Sequence, residues 1–313
     1  MTTAFLFPGQ GSQVVGMGRD LYESSPAARA VFDLADATLG FPLSQLCFEG
    51  PEETLTATEN AQPAILTVSL ALLAALSEGG SPVDFTAGRA AFVAGHSLGE
   101  YSALVAAGAL DATTALRLVR RRGELMAAAH DGTMAAVIGM EENDLEDICE
   151  EVAIHGPAVI ANYNAPGQLV ISGAARAIEQ AGALARERGA KRVIPLKVSA
   201  AFHSPLMEHA AEQLAELARD VAVAEARVPV ISNVTARPMT RAAAIRGELV
   251  AQITAPVRWI ASVQRMAEQG ATTFVEIGPG KVLTALVKRI LPEPQMVNIA
   301  TLDDVRGFLE AGT

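Results

Sequence analysis

Short apolar runs alternate with longer amphipathic stretches along most of the chain, which is the pattern of an α/β protein. The apolar pattern predicts strands at residues 3–7, 134–140, 158–163, 168–172, 192–198, 228–233 and 273–277. It also predicts a strand together with a tight turn over residues 91–99. Helical spacing is found from residue 17 onward and over 26–39, 62–76, the stretch that ends at 107, 111–129, 142–152, 174–188, 206–219 and 257–269. This alternation favours a mostly parallel sheet, whose ligand site belongs at the carboxyl ends of the strands.

The order of elements changes in one part of the chain. Between residues 131 and 198 the pattern predicts β-α-β-β-α-β, which is typical of a ferredoxin-like unit, with Asn164-Ala165-Pro166-Gly167 as the turn between its middle strands. We therefore predict a small ferredoxin-like domain at 131–198. It is inserted into a large α/β-hydrolase-like domain formed by residues 1–130 and 199–313.

The composition is that of a well-buried globular protein, because 50% of the 313 residues are hydrophobic and 19% are charged. The chain has 24 Lys and Arg against 35 Asp and Glu, which leaves a net charge of −11. Phosphate contacts need a concentrated excess of cations, so this balance argues against a nucleic-acid partner. An acidic protein partner would need a local basic patch.

The cysteines and the apolar runs of the chain indicate the cellular compartment of the protein. Cys47 and Cys149 lie far apart without metal-ligand spacing, so we expect buried reduced thiols and no metal site. The N-terminus lacks the basic region and the long apolar run of a signal peptide. The best apolar run, residues 64–76, contains Thr67 and Ser69 and is interpreted as a core helix, not a membrane span. We expect a cytoplasmic monomer.

The stretch from residue 91 to 105 carries the clearest chemical signal. An apolar run meets Gly95-His96-Ser97-Leu98-Gly99 and continues directly into an Ala-rich helical segment. G-x-S-x-G between a strand and a helix is the pattern of a nucleophile elbow, whose glycines let strand and helix crowd together while the turn exposes the serine hydroxyl. The helix that starts there points N–H groups at charge developing on an attacked carbonyl. Ser97 is therefore the candidate nucleophile.

A serine hydroxyl needs a base within hydrogen-bond reach. Three of the five histidines are predicted to be exposed: His130, His155 and His209. His96 adjoins the nucleophile, but its side chain should point away from the bond that Ser97 attacks. His203, flanked by Phe202 and Pro205, follows the return into the large domain, and we predict that it is the base. No carboxylate stands in an obvious position to orient its imidazole.

The turn after the first predicted strand contains two glycines, yet it lacks the lysine and the third glycine of nucleotide-binding loops. A nucleotide cofactor is therefore not expected. Together with other motifs, this turn carries a resemblance to malonyl-CoA:acyl carrier protein transacylases that extends over residues 5–289. In order, the matching motifs are Pro8-Gly9-Gln10-Gly11-Ser12-Gln13, Gly95-His96-Ser97-Leu98-Gly99-Glu100, Arg122-Gly123, Asn162-Tyr163-Asn164-Ala165-Pro166-Gly167-Gln168, Ala201-Phe202-His203-Ser204, Gln252 with Pro256-Val257-Arg258-Trp259, and Glu276-Ile277-Gly278-Pro279-Gly280.

The resemblance implies a role for each matching position. Ser97 resembles the nucleophile that forms the acyl ester, and His203 the base that later returns a proton to the departing thiol. The oxyanion hole would use the backbone N–H groups of Leu98 and Gln10. Gln252 matches the position whose backbone carbonyl orients the histidine, which would account for the missing carboxylate.

The resemblance also implies the acyl group. Arg122 matches the arginine that holds the malonyl carboxylate, and a guanidinium suits this task because it offers two parallel charge-assisted hydrogen bonds. A neutral acyl group would leave that buried charge unpaired, so Arg122 would select the substrate as well. Asn162, Asn164 and His96 are further candidates for the substrate site. Phe202 resembles the bulky residue of malonyl-selective relatives.

Together these residues imply ping-pong transfer of malonyl from malonyl-CoA to the phosphopantetheine thiol of an acyl carrier protein, for fatty acid elongation. No metal, redox cofactor, nucleic acid or membrane is implied. Carrier proteins of this kind are generally acidic, and the candidates for a basic docking patch are Arg120, Arg121, Lys191, Arg192, Lys281, Lys288 and Arg289.

Several alternatives stay open at this point. The same chemistry could load polyketide synthase carrier domains or serve a malonate-decarboxylating system. An esterase or thioesterase could use a similar elbow, although Arg122 argues against it. A non-catalytic scaffold is disfavoured because Ser97, His203 and Arg122 are all present.

Overall fold

The computed structural model describes residues 2–196, 198 and 200–311, which form an α/β protein with two β-sheets. The strands are β1 Thr2–Phe7, β2 Phe92–Gly95, β3 Thr133–Ile138, β4 Ala158–Ala165, β5 Gln168–Gly173, β6 Arg192–Pro195, β7 Val230–Ile231, β8 Pro238–Met239, β9 Ala271–Ile277 and β10 Gln295–Ile299. The helices are α1 Arg19–Ser24, α2 Pro26–Leu39, α3 Leu43–Glu49, α4 Glu52–Thr56, α5 Thr58–Leu76, α6 Pro82–Arg89, α7 Gly99–Ala106, α8 Ala112–Ala128, α9 Glu142–Glu151, α10 Ala175–Glu187, α11 Glu208–Arg219, α12 Ala242–Ala251, α13 Trp259–Glu268, α14 Val282–Ile290 and α15 Leu302–Ala311. Short 3-10 helices cover Val152–His155 and Pro205–Met207.

The larger sheet has the strand order β10-β9-β1-β2-β7-β8. Its strands are parallel except for β8, which runs antiparallel to β7. Parallel strands end at the same edge of a sheet, so the loops that follow β1, β2 and β9 lie side by side. The mostly parallel sheet predicted from the sequence is therefore present, and its carboxyl edge brings the two glycine-rich turns next to the elbow.

Both faces of this sheet are covered, which explains why its strands are apolar at successive positions. Phe5 and Phe7 pack into one hydrophobic cluster with α5, whereas Ala4 and Leu6 pack into another with Trp259. Helix α5 is long and apolar enough to cross a membrane by length and composition, but it is buried inside the protein. It begins four residues before the predicted start and contains Pro63 in its first turns. The interpretation as a core helix is confirmed.

The smaller sheet is antiparallel and has the order β4-β5-β3-β6. Helices α9 and α10 cover one of its faces around Val137, Leu145 and Ile178. A backbone hydrogen bond joins β4 of this sheet to the segment that precedes α13, because the N–H of Tyr163 donates to the carbonyl of Val257 at 3.0 Å.

Some predicted boundaries need correction. The turn predicted at 164–167 is shorter, because Asn164 and Ala165 belong to β4, while Gly167 has a φ of 66°. The strand predicted at 192–198 ends at Pro195; Lys197 within it and Ser199 lie outside the described residues.

Several elements escaped the sequence pattern: α3, α4, α6, α12, α14, α15, β8 and β10. Many of these are short, and a short amphipathic segment gives little periodicity to recognise. Pro82 is the first residue of α6, where a missing N–H costs no helical hydrogen bond. Cys47 and Cys149 are buried and unpaired within the part of the chain that the structure describes.

Candidate active site

Ser97 occupies the turn between β2 and α7 and has a φ of 50°, which is uncommon for a residue with a side chain. A Cβ added to Gly95 would lie 1.9 Å from the carbonyl carbon of Gly99, and one added to Gly99 would lie 2.1 Å from the carbonyl oxygen of Phe7. Only glycine fits at both positions. The crossing of strand and helix therefore presents Ser97 at the carboxyl edge of the sheet.

Polar side chains from distant segments hold this strained turn. The N–H of Ser97 donates to Oδ1 of Asn233 at 2.7 Å, and Nδ2 of Asn233 donates to the carbonyl of Gly95 at 2.7 Å. On the other side, Nε2 of Gln252 donates to the carbonyl of Ser97 at 2.9 Å. The backbone of the nucleophile is thus fixed from both directions.

Two backbone N–H groups near Ser97 remain available for a ligand. Leu98 precedes the first residue of α7, and Gln10 lies in the turn after β1; both line the same cavity as Ser97. Neither N–H donates a hydrogen bond to another described residue. The side chain of Gln10 is held by Thr58, whose Oγ1 accepts from Nε2 at 3.1 Å. Preorganised donors of this kind are what an oxyanion hole requires.

His203 contacts the nucleophile directly. Its Nε2 lies 2.8 Å from Oγ of Ser97, and its Nδ1 lies 2.9 Å from the carbonyl oxygen of Gln252 and 3.1 Å from that of Ala255. Because both oxygens near Nδ1 can only accept, Nδ1 carries the proton and Nε2 accepts from the serine hydroxyl. The N–H of His203 also donates to the carbonyl of Ile253, at 3.1 Å, which anchors its left-handed backbone conformation.

The imidazole is buried and stays neutral near pH 7. Burial first, and then the cation of Arg122, lower the pKa of His203 to about 3. The expected third member of a triad is here a pair of carbonyl groups, which orient the ring without adding a negative charge. A neutral ring with Nε2 unprotonated is the form that can take a proton from Ser97.

Arg122 lies inside the protein with 1% of its surface exposed. Its guanidinium donates to Oε1 of Gln62 at 2.7 Å, to Oε1 of Gln252 at 2.9 Å and to Oγ of Ser97 at 3.1 Å. All three partners are neutral, and no described carboxylate forms an ion pair with it. Burial lowers the pKa of Arg122, but an arginine keeps its charge in proteins. Among the described residues, the site therefore contains a buried cation that has no ion-pair partner and lies beside the hydroxyl of Ser97.

These groups border a cavity of about 300 Å³. Asn162 and Phe202 line it, as predicted, and Met126 and Met134 add apolar wall. His96 also lines the cavity.

Asn164 does not line this cavity among the described residues; its Oδ1 lies 2.8 Å from Nε2 of His96. The ring of His96 packs at 5.6 Å from that of Trp259. Asn164 therefore contacts His96, a residue of the cavity wall.

The sequence did not single out four side chains of this site: Gln62, Glu100, Asn233 and the amide of Gln252. Glu100 belongs to the elbow motif, and Asn233 ends a predicted strand, so weak positional signals existed. Gln62 offered no signal beyond its place in a predicted helix.

A neutral imidazole that can take the proton of an elbow serine is suited to covalent acyl transfer, so an acyltransferase is the class of protein that this fold and this site fit. The family described as "Acyl transferase domain" matches residues 4–304 of the chain.

Individual relatives narrow this class. The malonyl CoA-acyl carrier protein transacylase of Bacillus subtilis (strain 168) is 53% identical over 291 residues, which are 92% of this chain and 90% of that protein. The solved acyl-carrier-protein-S-malonyltransferase of Bartonella henselae is 44% identical, covers 100% of both chains and has a TM-score of 0.96. One chain of the solved complex of a type II PKS acyl-carrier protein with its malonyl-transacylase is 40% identical to this chain. The TM-score is 0.94, and the match covers 99% of this chain and 100% of that chain. The chain belongs to the malonyl CoA-acyl carrier protein transacylase family.

Proposed function

We propose that this protein transfers the malonyl group of malonyl-CoA to the phosphopantetheine thiol of an acyl carrier protein through a malonyl ester of Ser97. The observation that carries the proposal is the buried Arg122 guanidinium, 3.1 Å from Oγ of Ser97. A single methylene separates the thioester carbon of a malonyl group from its carboxylate. A cation that binds the carboxylate must therefore lie next to the nucleophile, as Arg122 does.

The first half-reaction begins when the malonyl carboxylate pairs with Arg122. Ser97 Oγ attacks the thioester carbon while its proton passes to Nε2 of His203, and the N–H groups of Leu98 and Gln10 stabilise the oxyanion. The carbon–sulfur bond then breaks. His203 returns the proton to the sulfur, CoA–SH leaves, and malonyl-Ser97 remains.

The second half-reaction repeats these steps with the carrier protein's thiol. His203 accepts the thiol proton, the sulfur attacks the ester carbon, and the same N–H groups stabilise the new oxyanion. The bond to Oγ breaks, and His203 returns the proton to Ser97. Both half-reactions exchange one acyl–oxygen or acyl–sulfur bond for another, so the residues present supply all the chemistry without a metal or redox cofactor.

The acceptor is proposed to be the carrier protein of fatty acid synthesis. A polyketide carrier is the second candidate, because one structural relative is a malonyl-transacylase solved with a type II PKS acyl-carrier protein. Loading rates on the two kinds of carrier protein would separate them. Of the basic docking candidates, Arg120 and Arg121 bond Glu124, and Arg289 bonds Gln168. Within the described ranges, the exposed candidates that have no such partner are Lys191, Arg192, Lys281 and Lys288.

The finer architecture is also part of the proposal. We propose that residues 131–198 form a ferredoxin-like unit inserted between 1–130 and 199–313, which form an α/β-hydrolase-like unit. The order β4-β5-β3-β6 with all pairs antiparallel supports the first assignment. The elbow on a mostly parallel sheet supports the second. A cytoplasmic location agrees with the buried, unpaired cysteines.

Mass spectrometry of the intact protein tests the function. After mixing with malonyl-CoA, the wild type should gain one malonyl group on the peptide that contains Ser97, and it should lose that group when a phosphopantetheinylated carrier protein is added. Ser97→Ala should gain nothing. Rapid loss of the adduct to water alone would instead indicate a thioesterase.

A further inference from the structure

Two carboxyl groups lie behind the active site, and the mechanism above does not use them. Glu100 is 1% exposed and Glu248 is 6% exposed, and their carboxyl groups lie close enough to interact. Neither forms an ion pair with a Lys or Arg of the described residues. Burial and the nearby Glu248 carboxylate raise the pKa of Glu100 well above its ordinary value.

The contacts of Glu100 lead to the residues that hold the nucleophile. Its Oε1 accepts from the N–H of Asn233 at 2.9 Å, and its Oε2 accepts from Nε2 of Gln252. Asn233 and Gln252 are the residues whose side chains fix the backbone of Ser97. Glu248 extends the same support, because its carboxyl oxygens accept from Ser232 and Val234, on either side of Asn233.

The carboxyl group also decides which way the Gln252 amide faces. Nε2 of Gln252 is engaged by Glu100 and by the carbonyl of Ser97, so Oε1 is left to face Arg122 and accepts from it at 2.9 Å. A reversed amide would point two N–H donors at the guanidinium, which has no acceptor. The orientation of one amide thus links Glu100 to the cation.

We propose that Glu100, paired with Glu248, is a positioning residue for acyl transfer, which holds Ser97 through Asn233 and Gln252 and holds Arg122 through the Gln252 amide. The part that concerns Arg122 rests on the function proposed above. The part that concerns Ser97 holds for any reaction of that serine.

The test compares Glu100→Ala with the near-isosteric Glu100→Gln, which keeps the volume of the side chain but only one of its two acceptor oxygens. Glu276→Gln is the matched control, because Glu276 is a fully buried glutamate whose carboxylate instead accepts from the N–H groups of Leu283 and Thr284. Two quantities are measured for each variant. One is the rate at which phenylmethanesulfonyl fluoride labels Ser97, followed by mass spectrometry, and the other is the ratio of transfer from malonyl-CoA and acetyl-CoA.

Glu100→Ala should label Ser97 about 10- to 100-fold more slowly, the size of effect expected when a reacting group is misplaced. Its malonyl/acetyl ratio should fall by about tenfold, because Arg122 loses its fixed acceptor. Glu100→Gln should give values of both quantities between those of the wild type and Glu100→Ala, because it keeps one of the two acceptors, and Glu276→Gln should change neither. If Glu100→Ala fails to fold, Glu100→Asp is used instead. The same losses are expected, because the shorter side chain moves the carboxyl group away from Asn233 and Gln252 by one methylene.

Labelling of Ser97 in Glu100→Ala at the wild-type rate would overturn the proposal. So would a loss that merely follows the folded fraction in thermal unfolding, with the malonyl/acetyl ratio unchanged. If the wild type reacts with phenylmethanesulfonyl fluoride but gains no malonyl group, the proposed function fails, and the labelling rates still decide the role of Glu100.

Discussion

Replacing Arg122 by alanine is the perturbation that bears most directly on substrate choice. The guanidinium is buried, its hydrogen-bond partners Gln62, Gln252 and Ser97 are neutral, and it forms no ion pair among the described residues. A malonyl carboxylate supplies the missing charge, and an acetyl group does not. Arg122→Ala should therefore weaken malonyl transfer far more than acetyl transfer.

The size of the effect follows from the burial of the charge. Removing one partner of a buried ion pair costs about 3–5 kcal/mol, which corresponds to a loss in kcat/KM of between about 10² and about 10⁴ for malonyl-CoA. The variant also loses the hydrogen bond from Arg122 to Oγ of Ser97. That loss affects both acyl groups, so it cancels in the malonyl/acetyl ratio.

The assay measures kcat/KM for transfer from malonyl-CoA and from acetyl-CoA to one carrier protein, with thermal unfolding to verify that the variant is folded. Arg121→Ala is the matched control, because Arg121 is the preceding residue of α8 and is exposed, with partners Glu124 and Gln213. It should leave the ratio unchanged. Arg122→Lys keeps the charge but loses the two-pronged geometry, and its ratio should lie between wild type and Arg122→Ala. An unchanged ratio in Arg122→Ala would refute the role of Arg122 as the carboxylate anchor.

Two further predictions concern stability. The pKa of His203 is lowered to about 3 from an ordinary 6.5, so the unfolded chain binds a proton that the folded chain excludes between these values. The free energy of unfolding should then fall as the pH falls from 6.5 toward 3, by up to about 1.4 kcal/mol per pH unit. Urea titrations at several pH values should show a shallower decline for His203→Gln. If the free energies of wild type and variant fell in parallel with pH, the lowered pKa of His203 would be contradicted. Gly99→Ala should destabilise the protein by about 3 kcal/mol or more, because its Cβ would meet the backbone of Phe7, whereas Gly247→Ala in α12, with open space around it, should gain about 0.5–1 kcal/mol. Equal thermal midpoints for these two variants would show that the elbow tolerates a side chain.

The sequence specified the parts of the fold that depend on local pattern. Strands β1, β2 and β9 and helix α2 were predicted within two residues of their ends, because long apolar or amphipathic runs bounded by glycine, proline or a capping residue leave few alternatives. The elbow was equally clear, since its glycines are required by contacts within a few residues of Ser97 and with the adjacent strand. Short elements such as α4 and β8 were missed, because five or two residues carry no measurable period.

Ser97 could be named as the candidate nucleophile from the elbow motif and His203 as the candidate base from its position among the histidines, whereas the candidate carboxylate anchor Arg122 came from the family resemblance. The residues that hold these side chains in place could not be predicted from the sequence. Ser97 is held by Asn233 from 136 positions away and by Gln252 from 155 positions away, and Arg122 reaches Gln62 across 60 positions. No local pattern states which distant polar side chains will share one buried space, because that depends on how the sheet stacks its loops. Only the tertiary structure placed Glu100 behind Gln252 and left Arg122 without an ion-pair partner among the described residues, and both arrangements matter because the groups are buried.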